Sequence, residues 1–172
     1  MADQSAQVAA AQSDDGLAVA ELVAAYVAGV QLLEDSVAGM DLATLRERPI
    51  EGQMSSLEVL SHVADCEQFL ADRIKRTAAT DRPLLVGIDA SPYLTVLHYQ
   101  DRDPELQLRL VEMTRLNLAA DLAWLPEDAW TRVAIHTETG LVTMRQLLLH
   151  AIRHLEYHVG TILEKRRALG LG

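Results

Sequence analysis

Apolar residues recur at intervals of three and four along three separate stretches of this chain, a period that marks a helix with one buried face, and a start signal marks a fourth helix. From Leu17 to about Val37 the stripe is Leu22, Tyr26, Val30, Leu33 and Val37, with Gly39 as a stop. The second stretch opens on Ser55-Ser56-Leu57-Glu58, a pattern in which a Ser hydroxyl and the Glu carboxylate each satisfy a backbone N–H left over at a helix start. Its stripe, Val59, Val63, Cys66, Leu70 and Ile74, runs to about Thr80. Asp103-Pro104-Glu105 starts the third, with an N-cap acid and Pro at the first helical position, and the helix extends to about Leu125 before Pro126. Thr143-Met144-Arg145-Gln146 repeats the capping pattern ahead of the longest stretch, Met144 to Leu169. Lys165-Arg166-Arg167 in its last turns offset the helix dipole, and Gly170 follows.

Four such helices predict an all-α fold, a four-helix bundle with long connections and a crossover. Aromatic residues are only 4% of the 172, so packing falls to Leu, Val, Ala and Ile, and sparse Gly and Pro favour helix over strand. Residues 1–15 read as a flexible N-terminal tail and 16–172 as one helical domain. Asp41 to Pro49 fits a short helical turn. Asp81 to Asp103, broken by Pro83, Gly87 and Pro92, is a long connection with one short helix near Tyr93 to Tyr99, long enough to cross the bundle or cover a site. Pro126 to Gly140 is a second connection.

A net charge of −10, without any run of basic residues, gives phosphate backbones and anionic lipid no attraction, so neither nucleic acid nor membrane is an expected partner. The N-terminus lacks the basic and apolar regions of a signal peptide, and no apolar stretch is long enough to span a bilayer. A cytoplasmic protein is the expectation. With Cys66 as the single cysteine, no intrachain disulfide exists and stability rests on packing.

Chemistry concentrates in the last helix, where His150, His154 and His158 stand four residues apart. At about 100° per residue with His154 at zero, the apolar stripe centres near about +70°, His158 falls near about +40° and His150 near about −40°. The inward pair is therefore His154 and His158, with His150 toward the rim. On the second helix His62 offers a third imidazole, with Cys66 one turn later and Glu58 one turn earlier. Three neutral imidazoles with an open position are what a catalytic divalent metal needs, so His62, His154 and His158 are the candidate ligands. The competing reading is three core histidines, each hydrogen-bonded to its own partner.

Other metal and nucleotide signatures are missing. A di-iron carboxylate bundle needs Glu three residues before a ligand His, whereas Val59, Leu147, Ala151 and Leu155 precede these histidines. No His-Glu-x-x-His, Cys-x-x-Cys or glycine-rich phosphate loop occurs. Cys66 lies on the apolar stripe and reads as a core residue, with ligand or reactive thiol as alternatives. Trp124, Trp130, Tyr93 and Tyr99 fit bundle ends and connections. His98 and His136 fit solvated connections, and Asp65, Glu67 and Glu156 a solvated face.

The segments Ser56-Leu57-Glu58-Val59-Leu60-Ser61-His62-Val63-Ala64-Asp65-Cys66-Glu67 and Leu148-Leu149-His150-Ala151-Ile152-Arg153-His154-Leu155-Glu156-Tyr157-His158-Val159-Gly160 resemble the DinB/YfiT-like superfamily of metal-dependent four-helix bundles, and the resemblance spans roughly Ala24 to Leu169. It implies that His62, with Glu67 as an accompanying acid, joins His154 and His158 around a divalent ion such as Zn²⁺ or Ni²⁺. It further implies a homodimer and, as in some members, a small thiol such as mycothiol or bacillithiol as co-substrate. Two departures touch the substrate side and no ligand: His158-Val159-Gly160-Thr161 stands where many members have His-Arg-Gly-Gln, and Met54-Ser55 where Trp-Ser is frequent.

Two functions are compatible with these residues. One is a metal-dependent, thiol-dependent transferase, isomerase or hydrolase. The other is a non-catalytic dimeric metal-binding or scaffold bundle, distinguished by a closed metal shell rather than an open one.

Overall fold

The computed structural model describes residues 16–171; the expected tail, residues 1–15, lies outside them. Four long helices make the bundle: α1 (Val19–Val37), α3 (Ser56–Ala79), α5 (Pro104–Leu122) and α6 (Met144–Ala168), with the short α2 (Leu42–Arg46) and α4 (Tyr93–Val96) in the connections. The ends obey the local chemistry of the sequence. Ser55 accepts the Glu58 N–H while the Glu58 carboxylate accepts the Ser55 N–H at 2.7 Å, and Thr143 with Gln146 does the same for α6. Asp103 caps α5 by accepting from the N–H groups of Glu105 and Leu106. Beyond α1, Gly39 sits at φ 75°, a left-handed turn that glycine enters without a Cβ clash.

Helix α1 packs on α5 and α6, and α3 packs on the same two, so α1 and α3 stand at opposite corners. The α1–α3 connection must therefore cross an end of the bundle, whereas the Asp81–Asp103 connection, expected to cross the bundle or cover a site, joins the neighbouring helices α3 and α5. Two apolar clusters fill the interior. One gathers Leu22, Leu70, Ile74, Leu118, Leu122 and Leu148; the other gathers Leu33, Leu60, Val63, Val111, Leu155 and Ile162. All of these are residues at helical spacing, so burial follows from the three-and-four period.

The four-helix bundle of the sequence reading is present, and it carries an addition. Within the two long connections lie β1 (Leu84–Leu85), β2 (Val133–His136) and β3 (Gly140–Thr143), which join into one sheet in the order β1-β2-β3. Leu84 pairs with Ile135 in parallel, and Val133 pairs with Thr143 in an antiparallel hairpin. Strands of two to four residues are too short for alternation to register in a sequence, and pairing between strands about fifty residues apart is set by the helices that carry their ends. The 3₁₀ turns Tyr99–Asp101 and Glu127–Thr131 complete the connections. Among the described residues no helix is long and apolar enough to cross a membrane.

At the junction of the two apolar clusters the bundle buries a charged network. Arg115 of α5 donates to Glu67 of α3, to the Tyr26 carbonyl of α1 at 2.6 Å and to the Ala151 carbonyl of α6 at 3.0 Å. The Tyr26 hydroxyl donates to the second Glu67 oxygen at 2.9 Å, and the guanidinium lies 4.3 Å over the Tyr26 ring. Gly29 makes room for it: a Cβ there would stand 2.3 Å from an Arg115 nitrogen. One network thus ties all four long helices. Glu67, expected on a solvated face, is fully buried instead, because Arg115 supplies the counter-charge that makes its burial tolerable.

Candidate metal centre

Helix α3 presents His62, and α6 presents His154 and His158 one turn apart, so the three imidazoles meet between the two helices. Ring centroids are 4.8 Å apart for His62 and His158, 5.4 Å for His62 and His154, and 4.5 Å for His154 and His158. One nitrogen from each lies within 4.8 Å of the other two. His154 and His158 are both buried, 7% exposed, while His62 is half-buried and opens the cluster on one side. His150 continues the row on α6, its ring 6.0 Å from that of His154, outside the group of three.

Burial governs the electrostatics. It pushes His158 down to about 3, assisted by His62 and Lys165, and holds His154 well below the ordinary imidazole value, assisted by the neighbouring histidines and by Arg115. His62 is lowered by burial against the opposing pull of Asp65. All three are therefore neutral at pH 7, the form that carries a lone pair for a cation. The Nδ1 atoms of His154 and His158 are buried without a hydrogen-bond partner. Three separately satisfied core histidines would not leave such orphans, each of which costs about 1–3 kcal/mol. Three neutral imidazoles with one nitrogen of each within 4.8 Å of the others fit a borderline divalent cation.

The residues around the cluster depart from expectation in informative ways. Cys66 is half-buried beside His62 rather than in the core, its sulfur 3.6 and 3.7 Å from the two ring nitrogens. Near-equal distances place the sulfur in line with neither lone pair, so it does not orient the ring. Burial pushes the Cys66 thiol up to about 12, helped by Asp65 and Glu67, which keeps it protonated. Glu58 is taken up by the α3 cap and by Arg48. Asp65, also assigned to a solvated face, receives both Arg102 nitrogens at 2.9 and 3.0 Å and the Tyr99 hydroxyl at 2.6 Å. That clamp fastens the α4–α5 connection against the turn of α3 that carries His62.

Trp130 and Tyr99 are buried, and Tyr93 meets Phe69 edge-on at 6.0 Å. Trp124 is 88% exposed, against the expectation that it packs a bundle end, because α5 stops at Leu122 and points the next turn into solvent. His98 and Glu156 are exposed, as expected, whereas His136 is half-buried, paired across the sheet with Leu85. Arg115 went unnoticed in the sequence. Its signal was a charge placed between Val111 and Leu118 on the buried face of α5.

The chain is similar throughout its length to YfiT from Bacillus subtilis, whose structure is described as that of a probable metal-dependent hydrolase with an unusual four-helix bundle topology: TM-score 0.86 at 19% identity, covering 94% of each chain. It is also similar to a mycothiol-dependent maleylpyruvate isomerase, with TM-score 0.68 at 16% identity, over 84% of this chain and 60% of that one. At these identities the likeness is one of fold. No curated protein matches the sequence. The family model of the DinB superfamily matches residues 25–162, four-fifths of the chain and both histidine-bearing helices, and the protein belongs to that superfamily.

Proposed function

We propose that His62, His154 and His158 hold a divalent cation, Zn²⁺, Ni²⁺ or a similar ion, and that the protein is a metal-dependent enzyme acting on a small molecule. The observation that carries this reading is the convergence of three neutral imidazoles, two with buried and unpartnered nitrogens, on one point between α3 and α6. When bound, such a cation supplies Lewis acidity that lowers the pKa of a water or a small thiol beside it. The protein's part is to keep the imidazoles deprotonated by burial, to fix α3 against α6 through Arg115 and Glu67, and to leave access past half-buried His62. The described likenesses, to a probable metal-dependent hydrolase and to a mycothiol-dependent isomerase, support water or thiol as the activated group. Without a cation, burial keeps the Cys66 thiol protonated.

The test is elemental analysis of tag-free protein beside His154→Ala and His158→Ala variants, with His150→Ala as the control on the same helix. Near-stoichiometric metal in wild type and His150→Ala, lost from the other two while they remain helical, is the expected result. A Co²⁺-substituted sample whose visible spectrum then shifts on adding a small thiol supports an open position. Absence of metal from wild type after incubation with Zn²⁺ and Ni²⁺ would overturn the reading.

A further inference from the structure

The face of α3 that carries His62 continues past the histidine cluster. Cys66, Phe69 and Arg73 follow at four, seven and eleven residues, which returns each to nearly the same side of the helix. Helix α6 lies beside it with His158, His154 and His150 in a row of its own. His62 touches the first two, and Arg115 joins Glu67, five residues further along α3, to the Ala151 carbonyl, earlier on α6, so the helices run antiparallel and the two rows face each other. The histidine cluster occupies one end of this half-buried face. At the other end Arg73 donates to the Val86 carbonyl, next to Leu85, whose strand partner is His136 of β2; His150 stands on α6 a turn before His154, where the charges of Arg73 and His136 bear on it, and Phe69 lies between with Tyr93 against it.

Arg73 is a half-buried cation without a counter-ion. Among the described residues it forms no ion pair, and its one hydrogen bond goes from a terminal nitrogen to the Val86 carbonyl at 2.8 Å. A guanidinium has five N–H donors in a fork that matches a carboxylate, so most of its capacity is unspent. Its neighbours are donors too. His136 accepts the Glu138 N–H on Nδ1 at 3.2 Å, which leaves its Nε2 carrying the proton, and an imidazole such as His150 always carries at least one N–H. Two acids act on Arg73, Glu138 and Asp72, and Asp72 is paired with Arg76 at 2.8 Å. The Glu138 carboxylate lies against Gly87, where a Cβ would stand 2.3 Å from an oxygen, and it acts on Arg73 only from beyond pairing distance.

We propose that Arg73, with His136 and His150, binds a carboxylate of the substrate, and that the substrate is a small carboxylic acid lying along the half-buried face shared by α3 and α6 with its reacting end toward His62, His154 and His158. The carboxylate spends the unpaired donors, and the fork of Arg73 fixes which end of the molecule enters the histidine cluster. The reacting end rests on the metal reading above; the carboxylate site does not.

Calorimetric titration with succinate, against its neutral diamide, tests this on metal-loaded and metal-free protein alike. Succinate is expected to saturate one site in both forms and the diamide to give no saturable heat. Arg73→Gln should weaken succinate by about tenfold or more, the scale of a charged hydrogen-bonded contact, and Arg73→Lys, which keeps the charge without the fork, by less. Glu138→Gln should tighten it by removing an opposing carboxylate. Metal content measured on the same samples separates the two readings: protein without metal whose succinate affinity still depends on Arg73 sinks only the metal centre. Undiminished succinate binding in Arg73→Gln, absence of saturable binding in wild type, or weaker binding in Glu138→Gln would overturn the carboxylate site.

Discussion

Arg115 donates to Glu67 across 2.5 Å at the centre of the bundle, and neither side chain is exposed at all. The pair stands where the two apolar clusters meet, one turn of α3 beyond His62 and beside the carbonyl of Ala151, three residues before His154. Its position makes it the natural device for holding α3 and α6 in the register on which the histidine cluster depends.

Removing either partner strands a charge in the buried interior. Glu67→Leu and Arg115→Met should each destabilise by about 3–5 kcal/mol, since the surviving ion loses its partner but not its burial. The double replacement should recover much of that loss, because two apolar side chains leave nothing charged behind. Urea denaturation of the four proteins measures the coupling; single variants that unfold at the wild-type midpoint would show that the pair contributes nothing.

Acid should unfold the metal-free protein through its histidines before its carboxylates take part. Burial sets His158 at about 3 and His150 at about 4 in the folded state, with His154 also far down, while each returns to about 6.5 in the unfolded chain. Between those values the unfolded state binds more protons, so stability rises with pH and is lost as pH falls below about 6.5. Each buried histidine contributes a slope of up to about 1.4 kcal/mol per pH unit. Carboxylates such as Glu58, held below its usual range by Arg48 and the Ser55 N–H against its own burial, matter only below about 4.5. Urea midpoints at pH 7, 6 and 5 should therefore fall in step, and a flat profile over that interval would contradict the neutral, buried state of the cluster.

Cys66 should behave as a protected thiol although it is half-buried rather than sealed. A thiol pushed up to about 12 offers far less thiolate near neutrality than a free cysteine, and the thiolate is the reactive form. Alkylation by iodoacetamide at pH 7.5 should be at least about a hundredfold slower in native protein than in urea. Rapid labelling of the native protein would instead mark Cys66 as an activated nucleophile.

Much of this protein was legible along the chain because its controlling signals are local. The three-and-four period placed the stripes of α1, α3 and α6, and the Ser55–Glu58, Asp103 and Thr143–Gln146 caps placed helix starts to within a residue, because each satisfies backbone groups one turn away. The same helical geometry separated His154 and His158 from His150 before any contact was known. What depended on neighbours distant in sequence was misread. Cys66 lies on the apolar stripe yet faces His62 and half-open space, Glu67 looked like a surface acid, and Trp124 looked like packing.

The amino-acid sequence by itself determined the helices, their buried faces and which histidines point inward, since periodicity and capping act over a single turn. Tertiary structure alone decided that α1 and α3 stand at opposite corners, that β1 reaches β2 across fifty residues, and that Glu67 meets an arginine 48 positions away. It also decided that Arg73 reaches the Val86 carbonyl beside the strand pair of Leu85 and His136, with no ion pair among the described residues. The reason is energetic as much as geometric: a charge becomes buried or stays solvated according to the partner that packing delivers, and that partner is not written within reach of its own turn of helix.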